Sequence, residues 1–268
     1  MTVRILTKTF LVAGFVLFVA GIGGVIFIKS QGIREDAAYL GSAQCRRCHV
    51  EEYTEWHASL HRKMMRRVDE PGAVVADLDI GSGVPFDPEA AVWVIGSKWE
   101  QQFMGERDGQ EVLLPGAWLV ASGKWKRKGW DGWQVPVPLR RCHGCHTVGL
   151  DLESGEFVEP GIGCESCHGP GSWHVETFGL GRIYSGADAQ VCGQCHTRGR
   201  SPDGQYFFPA HYRPGQRLDD HFKELGPYGD QNSSQWWGNG HARKRHEEYF
   251  AWRQGGARRQ PAQSHRGL

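Results

Sequence analysis

The chain opens on an apolar run from Phe10 to Ile28, preceded by Arg4 and Lys8 and closed by Lys29. Nineteen helical residues rise about 28 Å, close to the hydrocarbon thickness of a bilayer. A cleaved signal peptide has a shorter apolar centre, and here Val25 to Ile28 carry the run past any small-residue site near Gly21 or Gly24. The pattern predicts an uncleaved anchor over residues 1–30, a single-pass helix in the inner (cytoplasmic) membrane. Cations ahead of the span would leave the rest of the chain on the periplasmic side. Residues 30–40 read as a linker. Tyr53, Trp56 and Leu60 recur at helical spacing and predict a helix across Ser42 to Met65.

The pattern then changes. Across 71–138 short runs such as Ala91 to Ile95, Lys98 to Gly105, Gln110 to Leu114 and Trp118 to Ala121 suit strands, and Asp108-Gly109 suits a tight hairpin turn. This predicts a small β-rich insert. Beyond Arg140 the pattern is short and punctuated by glycine, until Ala242 to Trp252 reads as a helix and 256–268 as a flexible tail. The fold class expected is mainly α with little regular structure, plus the insert and the transmembrane helix. The principal domain expected is 31–255.

Cysteine placement decides the chemistry. All eight cysteines fall in four Cys-x-x-Cys-His units: Cys45/Cys48/His49, Cys142/Cys145/His146, Cys164/Cys167/His168 and Cys192/Cys195/His196. Thiols three apart share one side of a helical turn, where both can add to the vinyl groups on one edge of a porphyrin. The histidine that follows reaches beneath the iron. The spacing is that of c-type haem attachment, which predicts four covalent haems with His49, His146, His168 and His196 as proximal ligands. Zinc would use Cys142/Cys145 with Cys164/Cys167, and disulfides would use an even number of cysteines. Neither accounts for a histidine after every pair.

The last three motifs start 22 and 28 residues apart. That leaves too little protein for separate cores, so the porphyrins themselves are expected to form a stacked core. The 37 glycines agree with many turns, and the 11 tryptophans offer flat rings for haem faces. A net charge of +1 gives no electrostatic case for nucleic acid. The run Lys124-Trp125-Lys126-Arg127-Lys128 reads as a solvated turn, with a docking patch for an acidic redox partner as the alternative.

Nine histidines remain after the proximal four. With four methionines in all, Met1 among them, Met/His ligation is at most a minority, and bis-histidine iron sits at the lower potential. Gly163-Cys164-Glu165-Ser166-Cys167-His168-Gly169-Pro170-Gly171-Ser172-Trp173-His174 resembles the signature of the cytochrome c-554-type multihaem family. Trp56-x-x-Ser59-x-His61, Cys192 to Gly199 with Ser201 to Gly204, Tyr212 to Gly215, and Gly240-His241 with His246 to Tyr249 extend the resemblance over about residues 42–255. It implies distal ligation by His61, His174, His241 and His246. His211 and His221 stand in reserve, and His143 and His265 are not expected to ligate. No feature such as Cys-x-x-Cys-Lys marks a catalytic haem.

The function expected is that of a membrane-anchored tetrahaem cytochrome relaying electrons between a respiratory donor and a downstream redox partner, as an electron carrier rather than an enzyme. A complex or oligomer would suit that role. The alternatives are a NapC/NrfH-like quinol dehydrogenase, a haem enzyme reducing a small nitrogen or sulfur species at a five-coordinate iron, and a zinc-stapled binding module.

Overall fold

The computed structural model describes residues 2–126, 142–186, 188–197, 199–223 and 249, with side chains of the first helix described from residue 14. The first helix, α1, spans Thr2–Ser30. After it come α2 (Ser42–Cys45), α3 (Val50–Ala58) and a 3-10 turn at Arg62–Met64. Six strands follow: β1 (Met65–Arg67), β2 (Ala91–Ile95), β3 (Glu100–Arg107), β4 (Gln110–Leu113), β5 (Ala117–Leu119) and β6 (Lys124–Lys126). The remaining helices are α4 (His143–His146), α5 (Cys164–His168), α6 (Ser172–Glu176) and α7 (Ala189–Gly193), with a 3-10 turn at Leu218–His221. A two-residue ladder, β7 (Thr147–Val148) on β8 (Glu159–Pro160), lies between α4 and α5.

The sheet runs β1-β2-β3-β5-β6 with β4 also on β3, and every pairing is antiparallel. The β3–β4 hairpin closes through Asp108 at φ 53 and Gly109 at φ 72, the two positive values that a two-residue turn of matching twist requires. Gly105 faces Ala91 across a register break between β2 and β3. A Cβ at Gly105 would meet the Ala90 carbonyl at 2.1 Å, so only glycine permits that approach. Below the sheet Phe86, Val94, Phe103, Val112 and Leu114 form the main apolar cluster. Trp125 closes it edge-on to Phe86 at 5.5 Å. Gln101, fully buried on β3, satisfies its amide entirely: it accepts from Val75 and Ala76 and donates to the carbonyls of Ala73 and Gly96.

Two expectations are corrected here. The chain is not mainly α: it is mixed α/β, with a six-stranded antiparallel sheet. The reason is local. The motif helices α2, α4, α5 and α7 have only four or five residues: α4 and α5 stop at the motif histidine, and α2 and α7 stop inside their motifs, at Cys45 and Gly193. The helix expected across Ser42 to Met65 is broken twice, within the first motif between Cys45 and Val50 and at Ser59, whose ψ of 165 is extended. One-turn helices cannot form a layer, whereas the alternating stretch from Met65 to Lys126 can.

The second correction concerns the N-terminus. Among the described residues no helix is long and apolar enough to cross a membrane. In α1 the apolar run is bounded by Arg4 and Lys8 before it and by Lys29 after it. Gly14, Gly21, Gly23 and Gly24 also thin its apolar surface. The single-pass anchor, the inner-membrane localisation and the membrane as a partner are therefore withdrawn. The helix expected over Ala242 to Trp252 and the tail lie outside the described residues.

Candidate haem centres

Each motif is built as one closed turn. In the first, His49 N–H donates to the Cys45 carbonyl at 2.9 Å; in the fourth, His196 N–H donates to the Cys192 carbonyl at 3.0 Å. The turn carries both thiols and the histidine to one side. The Asp188 carboxylate caps α7 by accepting from Val191 N–H at 3.1 Å, fixing where the fourth motif begins. Gly169, at φ 75, turns the chain sharply after the third.

The four motifs touch one another in an order different from that of the sequence. Cys45 and Cys164 share a thiol hydrogen bond, which joins motif 1 to motif 3. That bond, helped by Ser42, lowers Cys164 to about 7 and raises Cys45. Cys167 is pushed up to about 11 by burial and by neighbouring Cys192, and Gln194 Nε2 donates to the Ser166 carbonyl at 2.8 Å; both contacts join motif 3 to motif 4. The Cys145 thiol donates to the Gln194 carbonyl at 3.6 Å, and the hydrogen bond between Cys145 and Cys195 raises Cys195 well above its ordinary value. Motif 4 thus meets motif 2. The contact order is 1–3–4–2.

Buried carboxylates hold the first of these junctions. Glu165, inside motif 3 and 1% exposed, accepts from the backbone N–H groups of Leu40, Gly41 and Gly171. Burial raises its carboxyl, and the three N–H donors pull it part of the way back. Glu159 accepts from Ser42 N–H and its hydroxyl, and the same hydroxyl oxygen accepts from Cys164 N–H at 2.9 Å. Trp56 on α3 donates its indole N–H to the Ile162 carbonyl at 2.7 Å. The loop before motif 1 is therefore tied to motif 3 by a nearly complete polar network.

The histidines divide by what they face. His49 and His174 have ring centroids 6.2 Å apart with planes 26° from parallel. Two imidazoles bound on opposite sides of one metal, each with a nitrogen bond of about 2 Å, would have centroids roughly 6 Å apart. His174 Nδ1 and His168 Nδ1 each lie 2.8 Å from a backbone carbonyl, of Gly181 and Tyr184 respectively. A carbonyl can only accept, so Nδ1 carries the proton and Nε2 is the basic nitrogen, the usual arrangement of a metal-binding histidine. His143 does something else. It is buried, with Nε2 2.7 Å from the Glu111 carboxylate and its ring edge-on to Phe157. Glu111 also accepts from Trp93 Nε1 at 3.0 Å, so this cluster joins the sheet to motif 2.

The His61 backbone carbonyl accepts from Ile162 N–H, which brings its half-buried residue beside motif 3. His241 and His246 lie outside the described residues. Sequence reasoning missed Glu165, Glu159 and Glu111. A carboxylate between the cysteines of a buried motif was the available signal for the first; the other two had none.

These residues fit c-type haem. None of the eight cysteines is joined to another in a disulfide, which leaves every pair for attachment. A cavity of about 260 Å³ opens beside Cys145 and Cys195, lined also by Phe208 and Tyr212.

The motifs and their packing define a multihaem c-type cytochrome. The model of the family described as cytochrome c554 and c-prime matches residues 44–80 and 125–169, and over those stretches the chain is similar to that family. The crystal structure of the outer cell wall cytochrome OcwA aligns with 26% identity and a TM-score of 0.66, over 76% of this chain and 48% of that one. The undecahaem cytochrome from the S-layer of Carboxydothermus ferrireducens aligns with 26% identity and a TM-score of 0.48, over 62% of this chain and 26% of that one. This chain thus spans about half the length of the first and a quarter of the second. No curated protein matches.

Proposed function

We infer that residues 31–255 form one haem-bearing unit that holds four covalent haems and passes electrons along them in the order 1–3–4–2 between two redox partners. The observation that carries this reading is the continuous contact among the four motifs. Haem supplies the one-electron chemistry when bound; the chain supplies attachment, axial nitrogen, spacing and insulation. His49 and His174 are assigned to the first iron, and His146, His168 and His196 to the other three as proximal ligands. His61, His241 and His246 are distal candidates for the other three irons, without filling all of them. In this reading the sheet, reached through Glu111 and His143, screens the second motif from water.

The test is the intact mass of the purified chain together with its visible spectrum and a reductive titration. Four haem masses, low-spin iron and reversible uptake of four electrons are expected. A colourless chain from cells that mature c-type cytochromes, or a pigmented one that does not cycle, would overturn the reading.

A further inference from the structure

We propose that His221 is an axial iron ligand, serving the haem of motif 2 or of motif 4; this rests on the haem reading above. His221 Nδ1 lies 3.1 Å from the Ala210 carbonyl. The carbonyl cannot donate, so Nδ1 bears the proton and the lone pair is on Nε2. His168 and His174 make the same contact, one the histidine of a motif and the other the ring that faces His49. The device fixes both tautomer and ring direction, and it raises the basicity of the coordinating nitrogen.

The surroundings fix the ring further and place it between two motifs. Tyr212 stands edge-on to it at 5.5 Å. Ala210, whose carbonyl holds the ring, follows Phe208 by two residues. The Phe208 ring lies so close to Gly144 that a Cβ there would come within 2.2 Å of it, which puts this segment against motif 2. At its other end, Leu218 N–H donates to Gln190 Oε1 at 2.8 Å, and the Leu218 side chain packs where a Cβ on Gly193 would fall, at 2.6 Å. That puts the turn Leu218–His221 against motif 4. A histidine with a preset tautomer, half-buried and held between two attachment motifs, has the chemistry of a distal ligand. A hydrogen bond that merely closed a loop would not need an imidazole.

Asparagine separates the two roles, because its amide N–H can replace Nδ1–H while nothing replaces Nε2. The experiment compares haem-loaded wild type with His221→Asn, His221→Gly and His221→Met by intact mass, electron paramagnetic resonance and potentiometry. In His221→Asn one haem is expected to change from low-spin to high-spin with every haem still attached. Imidazole added to His221→Gly should restore the low-spin signal. His221→Met should raise the potential of one haem, because thioether ligation does so. Wild-type spin states in His221→Asn, or unchanged potentials in His221→Met, would overturn the assignment while the haem count by mass left the wider reading standing. A wild-type chain with no haem mass would overturn both.

Discussion

Replacing Glu165 by alanine removes the acceptor for three backbone donors at once. Gly41 and Gly171 donate from buried positions at 2.7 Å, and Leu40 donates from a partly buried one at 3.0 Å. A buried donor left without an acceptor costs about 1–3 kcal/mol. Two such donors, and a third that water reaches in part, set the loss at about 3–5 kcal/mol. Glu165→Gln keeps one acceptor oxygen but turns an amide nitrogen toward an N–H donor, so about 2 kcal/mol is expected. The assay is urea unfolding of the haem-loaded protein, followed by its visible absorption. The pH dependence adds a second check. Burial raises the Glu165 carboxyl above its unfolded value of about 4.3. Stability from this titration is fully present below the unfolded value and lost as pH rises through the folded one. The gap between wild type and Glu165→Gln should therefore narrow across that window. An alanine variant within about 0.5 kcal/mol of wild type would refute the clasp, since no reading of three orphaned donors allows so small a cost.

Gln101→Leu should cost about 3 kcal/mol by orphaning four backbone groups under β3, one buried and three partly buried, lowering hydrogen-exchange protection across Met65 to Lys126 and leaving haem content unchanged; unaltered protection would count against it. His174→Ala should convert the haem on Cys45 and Cys48 to high-spin iron, and a fully low-spin resonance spectrum would break the pairing with His49. Gly144→Ala should destabilise by about 1–3 kcal/mol through overlap with Phe208. Adding Phe208→Ala should recover part of that loss in a double-mutant cycle; strictly additive costs would exclude the contact.

The chemistry was legible because it is written locally. Two thiols and a histidine within five residues need no tertiary information. Strands at Ala91 to Ile95 and the hairpin at Asp108-Gly109 were legible for the same reason, from alternation and turn residues. What the sequence hid was proportion and long-range contact. Four attachment motifs suggested helices, yet each motif needs only one turn, and a six-stranded sheet makes the fold mixed α/β. The apolar run at the N-terminus suggested a bilayer span from its length, and no helix among the described residues is both long and apolar enough to cross one. Glu165 reaches Gly41 across 124 positions, and Glu111 reaches His143 from a different layer. No periodicity reports such partners. His174 came from resemblance to a family, and its carbonyl partner Gly181 became visible only once α6 had been placed.

The clasp at Glu165 also constrains biogenesis. Gly41 leaves the ribosome 124 residues ahead of the carboxylate that will hold it. At about 5–20 residues per second, that lag is roughly 6–25 s. For that interval the first attachment point exists without the contact that will hold the loop before it, and this contact can form only after the third has been synthesised. Synthesis and closure of the first motif are thereby separated by where one acidic side chain falls along the chain.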